Sequence, residues 1–213
     1  MSASLTRVRF EHAVLFTGHM IDAPGRKTER FPERFEPAAR LAISNTLQAI
    51  LATGPHSEST VGLAGGASGG DILFHEVCEE LGVPTRLHLA LPAEQYIEAS
   101  VAPAGGDWVE RFHALIGRLP PSSIEVLDET VVLPAALTGS EELNIWQKTN
   151  LWMVEEAVTI APRQTLLALW DGRAGDGPGG TEHMVMLAPR LGIEVAPIIR
   201  TQSLAANPED HLR

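Results

Sequence analysis

Apolar residues in this chain collect in short, nearly unbroken runs, and the longer stretches between the runs carry them at every third or fourth position. Six runs have the length and continuity of strands buried on both faces of a sheet: residues 13–16, 61–64, 86–91, 124–127, 166–170 and 194–199. The stretches between read as helices. Over 37–51 a proline occupies the first turn, and Ala39, Ile43, Leu47 and Ile50 fall on one face. A second helix opens at Ser68-Gly-Gly-Asp71, the spacing of a capping box, carries Leu73, Val77 and Leu81 on one side, and ends at Gly82. A third starts at Asp107 with Glu110 three positions on, again a capping-box spacing. A fourth covers 140–157 with Leu143, Trp146, Met153 and Val154 inward, and a fifth begins after Gly180 and stops near Pro189. Strands alternating with helices predict an α/β fold, a three-layer sandwich around a mostly parallel sheet of about six strands.

No repeat or low-complexity segment interrupts this order. The 213-residue length suits one α/β core, so residues 1–200 read as a single domain, followed by a polar tail, 201–213, that is loose or docked on a partner. Two connections, 21–36 and 129–139, have the length of lids or binding loops.

Composition narrows the function classes. A chain that is 44% hydrophobic and 20% charged is an ordinary globular one. Its net charge of −11, from 27 acidic against 16 basic side chains, repels a phosphate backbone, so general nucleic-acid binding is not expected. Basic residues gather once, at Arg26, Lys27, Arg30 and Arg34, which form either a solvated loop or a local cation patch. The single cysteine, Cys78, permits neither a disulfide framework nor a cysteine zinc site. His12, His75, His88 and His113 share no ligand spacing, and no metal or other cofactor is assigned. Residues 1–9 lack the apolar centre of a signal peptide, and no run approaches the ~20 residues of a membrane helix. The expectation is a cytoplasmic protein without a membrane partner.

Two segments carry candidate chemistry. In Ala64-Gly-Gly-Ala-Ser-Gly-Gly-Asp71 a strand runs through a glycine-rich turn into a helix. Gly65, Gly66, Gly69 and Gly70 either let a ligand approach the backbone, with free N–H groups at the helix start favouring a phosphate, or make a tight turn against the sheet. Ser68 and Asp71 would add side-chain contacts. The second segment, Trp170 to His183, repeats the strand, glycine turn and helix order, with Gly179 and Gly180 ahead of Thr181 as a helix cap. Both turns would lie at the carboxyl ends of parallel strands, where open α/β sheets bind ligands. Asp171, at a strand end, suits ribose hydroxyls. Gly18 and His19 follow the first strand directly, and Asn150 lies near an apolar stripe where its amide needs either a backbone or a ligand partner. Trp170 can serve as core or as a stacking surface.

Together, Thr17-Gly-His19, Ala64 to Asp71 and Gly177-Pro-Gly-Gly-Thr181 resemble the SLOG superfamily of Rossmann-like domains, which includes LOG-type nucleoside monophosphate phosphoribohydrolases and DprA-type DNA-processing proteins. Phe16 to Asp22, Gly106-Asp-Trp108, Asn150-Leu-Trp152 and Pro178 to His183 look closer still to SLOG-like domains found beside tetratricopeptide repeats or cyclase modules in bacterial signalling and conflict proteins. The resemblance covers about residues 10 to 200 and implies a Rossmann-like fold with a nucleotide or ADP-ribose-like ligand. A signalling partner protein is implied too, and the LOG-type relatives suggest a homodimer.

One departure bears on function. LOG-type hydrolases place a glutamate three residues beyond the threonine of their glycine motif, and here that position is Met184. Glu182 comes one residue after Thr181, about 100° away around a helix. Any acid–base work would fall to Glu182, His183 or Asp171. Two principal functions follow: a sensor that binds a nucleotide, or an enzyme that cleaves or transfers at an N-glycosidic bond of a nucleotide or NAD. An interaction protein with a vestigial pocket would leave the glycines without a purpose.

Overall fold

The computed structural model describes residues 10–128, 131, 133, 142–175 and 179–205. Its centre is β1 (His12–Gly18), which pairs in parallel with β2 (Thr60–Ala64) on one side and β5 (Arg163–Leu169) on the other. Outward lie β3 (Thr85–Leu89) and β4 (Ile124–Val126) past β2, and β6 (Glu194–Val195) past β5. The sheet is six-stranded with the order β4-β3-β2-β1-β5-β6, and all its pairs are parallel.

Because successive strand side chains point to opposite faces, each buried strand serves two cores. Val14 and Phe16 pack with α1 (Glu36–Ala52), α2 (Gly70–Glu80), α3 (Ala93–Ser100) and α4 (Trp108–Arg118). Ala13 and Leu15 pack with α5 (Ile145–Ile160) and α6 (Thr181–Leu187) on the other face. The chain steps from β1 to β4 in one direction with its helices on one face, and α5 then returns it across the opposite face to β5. Right-handed crossovers require that exchange of faces wherever strand order reverses. The reversal falls between β1 and β5, and the predicted three-layer α/β sandwich is the observed one.

Several local expectations change. Neither capping box at Ser68/Asp71 nor at Asp107/Glu110 forms: Gly69 caps α2 without a side-chain bond, and Asp107 caps α4 likewise. The reciprocal box is instead Asn144 with Gln147, so α5 starts at Ile145, later than the expected 140; residues 140 and 141 lie outside the described set. The last strand stops early because Pro197 has no N–H for a ladder, although Ile199 resumes contact by donating to Ala168 O. Helix α3, opened after Pro92, was not anticipated; its eight residues bury only Tyr96 and Ser100, too few for a periodic signal. The start of the polar tail docks: Thr201–Ala205 forms a 3-10 turn in which Thr201 is buried, and Gln202 Nε2 donates to Asp171 O at 2.7 Å.

The tightest backbone approach joins β1 to α2. A Cβ on Gly70 would stand 3.0 Å from Gly18 Cα, and one on Gly69, at φ +95°, would stand 2.7 Å from Ile21 N. Gly69→Ala should therefore destabilise by at least about 2 kcal/mol in urea unfolding, from combined strain and backbone clash. Exposed Gly117 in α4 has open space around it, and Gly117→Ala should stabilise by about 0.5–1 kcal/mol.

Candidate functional site

The strand ends around the reversal enclose a cavity of about 520 Å³, within the range of small-molecule sites. Thr17 and Gly18 of β1 and Trp170 beyond β5 form its floor. The loop after β1 contributes His19 to Ala23, Arg26 and Arg30; the first glycine turn contributes Gly65, Ala67 and Asp71. Tyr96 comes from α3, Trp146, Thr149, Asn150 and Met153 from α5, and Gly175 and Gly179 to Glu182 from the second turn.

The first glycine turn spends four of its N–H groups within the protein. Gly66 N–H donates to the Tyr96 hydroxyl (3.0 Å), Ala67 N–H to Asp71 Oδ2 (3.2 Å), Ser68 N–H to Ser100 O (2.9 Å) and Gly70 N–H to His19 O (3.0 Å). A Cβ on Gly66 would meet Phe112 and Leu87, so Gly66, Gly69 and Gly70 act as close-packing positions, while Gly65 and Asp71 face the cavity. Ser68 is buried, its Oγ without a hydrogen-bond partner among the described residues. Beneath the turn, His75 Nε2 bonds to Gly65 O (3.0 Å) and Nδ1 to Thr85 Oγ1 (2.9 Å). Since a carbonyl only accepts, Nε2 carries the proton and Nδ1 accepts from the threonine. Burial pushes the imidazole pKa down to about 4, which keeps the ring neutral in this role.

Asp71 is the electrostatic exception of the cavity. Burial raises its carboxyl pKa to about 7, against the opposing pull of the Ala67 N–H. Burial, helped by the nearby Asp71, pushes the Tyr96 phenol up as well.

At the other end, Asp171 ties the loop after β1 to the sheet. Arg30 donates to both carboxylate oxygens, from Nε to Oδ2 at 2.9 Å and from Nη2 to Oδ1 at 3.0 Å, and also to Arg173 O. Burial opposes ionisation of Asp171, yet Arg30 and the Arg173 N–H outweigh it and hold the carboxyl well below the usual carboxylate range. His19 Nε2 accepts the Asp171 N–H at 3.1 Å; burial lowers the His19 pKa despite the adjacent carboxylate. Asp22 fixes the same loop by accepting the Arg30 and Phe31 N–H groups at 2.8 and 3.0 Å. The sequence singled out Asp171 but not its partner, because Arg30 lies 141 residues away; the basic run was the only signal.

Across the second turn, Asn150 Nδ2 donates to Gly179 O (2.7 Å) and lies 3.3 Å from His183 Nδ1, so its partner is the backbone of the neighbouring loop. Gly179, at φ +97°, packs on Trp146 too closely for a side chain. Gly180 and Thr181 open α6 at the cavity wall. Glu182 borders this cavity and a smaller one of about 270 Å³ behind the turn, whereas His183 lines only the smaller one, and burial lowers its pKa. Gly177 and Pro178 lie outside the described residues.

His88, on β3 at the cavity wall, bonds through Nε2 to Glu156 at 2.5 Å, and Glu125 approaches the pair. Arg86 pairs with Glu156 and lies 3.7 Å from Glu125, so a guanidinium supplies the cation of this cluster.

A parallel α/β sheet with a cavity at its strand-order reversal makes this a Rossmann-like protein. No protein-family model matches the chain, and no curated protein matches it. Among solved structures it is similar to DNA processing protein A (DprA) from Streptococcus pneumoniae, at 10% identity and a TM-score of 0.34, over 93% of this chain and 62% of that one. With that score the fold assignment rests on the sheet order itself. None of the described helices is long and apolar enough to cross a membrane.

Two outcomes follow from the electrostatics. With its folded pKa near 7 and an unfolded value near 3.9, Asp71 favours folding below about pH 4, and this contribution is lost as pH rises through 7. Asp71→Asn should match the wild type at pH 4 and exceed it by up to about 4 kcal/mol at pH 8 in urea titrations. Arg30→Met leaves a buried carboxylate unpaired, and should cost about 3 kcal/mol and speed amide exchange across 20–35.

Proposed function

We propose that this chain binds a nucleotide or nucleotide-derived, ADP-ribose-like ligand and acts as a sensor domain that passes the event to a partner protein. The observation that carries this reading is the shape of the cavity. Its wall runs from His88 on β3, past Gly65 and Thr17, to Trp170 beyond β5, a width of four neighbouring strands and about 14 Å. Two arginines, glycine backbone and apolar rings along that length suit a phosphorylated, ring-bearing molecule.

The second turn favours binding over turnover. Asp171 is committed to Arg30, His183 lines the cavity behind, and the place of the hydrolase glutamate is taken by Met184, which is fully buried in the core. One observation keeps N-glycosidic cleavage as the second reading: Asp71 lines the cavity with a pKa near 7, suited to proton transfer at neutral pH.

Thermal unfolding with AMP, NAD or ADP-ribose separates the two readings when paired with chromatography for released base. The sensor reading expects stabilisation of about 2.7 kcal/mol at a hundredfold excess over Kd, with no base released. Gly180 has an extended φ of −76° that any residue adopts, so Gly180→Val should keep the unliganded melting point and lose the ligand-induced shift. Unchanged binding in that variant would overturn the site assignment.

A further inference from the structure

We propose that His88 is a ligand-contacting residue: its Nδ1 accepts a hydrogen bond from an uncharged N–H or O–H donor of the bound nucleotide, and Glu156, acting through the ring, is the positioning residue that fixes the tautomer. The inference rests on the nucleotide-binding reading and adds a specificity-determining contact to it.

The placement begins with the strand. Along β3 the side chains of Leu87 and Leu89 enter the core beneath α2 and α4, so Arg86 and His88 point to the opposite face, against α5. On α5, Thr149, Trp152, Met153 and Glu156 recur at three- and four-residue spacing and share one face. Thr149 and Met153 line the cavity, Trp152 meets the His88 ring edge-on at 4.8 Å between centroids, and Glu156, one turn further, accepts from His88 Nε2 at 2.5 Å. His88 itself lines the cavity at the carboxyl end of its strand, where parallel sheets bind ligands.

Three buried side-chain polar atoms have no hydrogen-bond partner among the described residues: His12 Nδ1, Ser68 Oγ and His88 Nδ1. Of these residues, His88 alone lines the cavity. Burial opposes ionisation of Glu156, yet the His88 N–H and Arg86 outweigh it, so the group is a carboxylate and can only accept. Nε2 therefore carries the ring proton that the bond to Glu156 needs, and Nδ1 is left with a lone pair. Arg86 bonds the other carboxylate oxygen and holds Glu156 in this orientation. A buried acceptor without a donor costs free energy, and a ligand that brings an N–H or O–H recovers it. The same lone pair disfavours a carbonyl or an unprotonated ring nitrogen in that place, so one atom discriminates between ligands of similar shape.

The test is nitrogen-15 NMR of the imidazole groups of the full chain at pH 8, unliganded and with AMP, paired with calorimetry. His88 should show a protonated Nε2 and an unprotonated Nδ1, and AMP should move the Nδ1 resonance in the sense of a lone pair that accepts, while Nε2 stays protonated. AMP offers three uncharged donor groups, and its analogues each lack one: purine riboside monophosphate the amino group, 2′-deoxy-AMP and 3′-deoxy-AMP a sugar hydroxyl. The Nδ1 shift should vanish with at least one of them, which names the donor. His88→Gln keeps an amide donor for Glu156 and has no atom at the Nδ1 position; it should hold the unliganded melting point within a few degrees and bind AMP about tenfold more weakly. In Glu156→Gln the amide oxygen goes to Arg86 and the amide N–H groups face His88, so the ring proton should move to Nδ1 and AMP should weaken by a similar factor; lost packing alone moves no proton. Should either variant unfold, the wild-type resonances decide. A protonated Nδ1 in the unliganded wild type, an Nδ1 resonance that AMP leaves in place or that all three analogues move equally, or unchanged AMP affinity in His88→Gln would each overturn the contact while leaving nucleotide binding intact. Failure of AMP, NAD and ADP-ribose alike to bind the wild type removes the nucleotide reading itself, and the contact with it.

Discussion

The contact between Gly18 at the end of β1 and Gly70 at the start of α2 sets the distances on which the site depends. With Cα positions close enough to exclude a side chain on either residue, the two segments form a short antiparallel stitch: Met20 bridges Gly69, Ile21 N–H donates to Ser68 O, and Gly70 N–H donates to His19 O. That stitch draws the long loop after β1 over the strand ends and points its arginines along the cavity. It also takes the N–H of Gly70, and those of Gly66, Ala67 and Ser68 in the first glycine turn go to Tyr96, Asp71 and Ser100. Packing and recognition compete here for the same N–H groups, and packing takes them.

The opposite end of the loop is held by charge. Arg30 and Asp171 are both largely withdrawn from water, and burying either without the other would cost several kcal/mol. The bidentate geometry and the Arg173 N–H satisfy the carboxylate, so the pair is stable as a unit and fixes where the loop lands. Asp71 shows the other outcome of burying an acid. With one N–H and, among the described residues, no cation bonded to it, its carboxyl keeps a proton near neutrality. The strand ends thus hold an aspartate fixed in its charged form, Asp171, and an aspartate on the cavity wall poised between forms, Asp71.

The second turn is positioned by α5. Asn150 reaches Gly179 O, and Gly179 presses on Trp146 with no room for a side chain, so Gly179 is packed directly on the helix. Since α5 also provides the apolar wall at Trp146 and Met153, that wall and Gly179 of the turn adjoin one another along the cavity.

Much of the architecture was legible in the residues alone, because continuous apolar runs and three-to-four periodicity report burial directly. β1, β2, α1 and α2 lie within a few residues of their expected limits, and the alternation of strands and helices predicts the parallel sandwich. Local capping patterns misled at Ser68 and Asp107, where tertiary packing fixed the backbone and left the side chains no role as caps. For the site, the two glycine turns and the basic run marked in the sequence each contribute residues to the lining of the cavity. Only the fold could pair Arg30 with Asp171 across 141 residues, bring Tyr96 from an unforeseen helix to the first turn, and bury Asp71 with a single backbone N–H bonded to it among the described residues. Those outcomes depend on which polar groups are left facing each other once water is excluded, and that is a property of three-dimensional proximity that spacing along a chain does not contain.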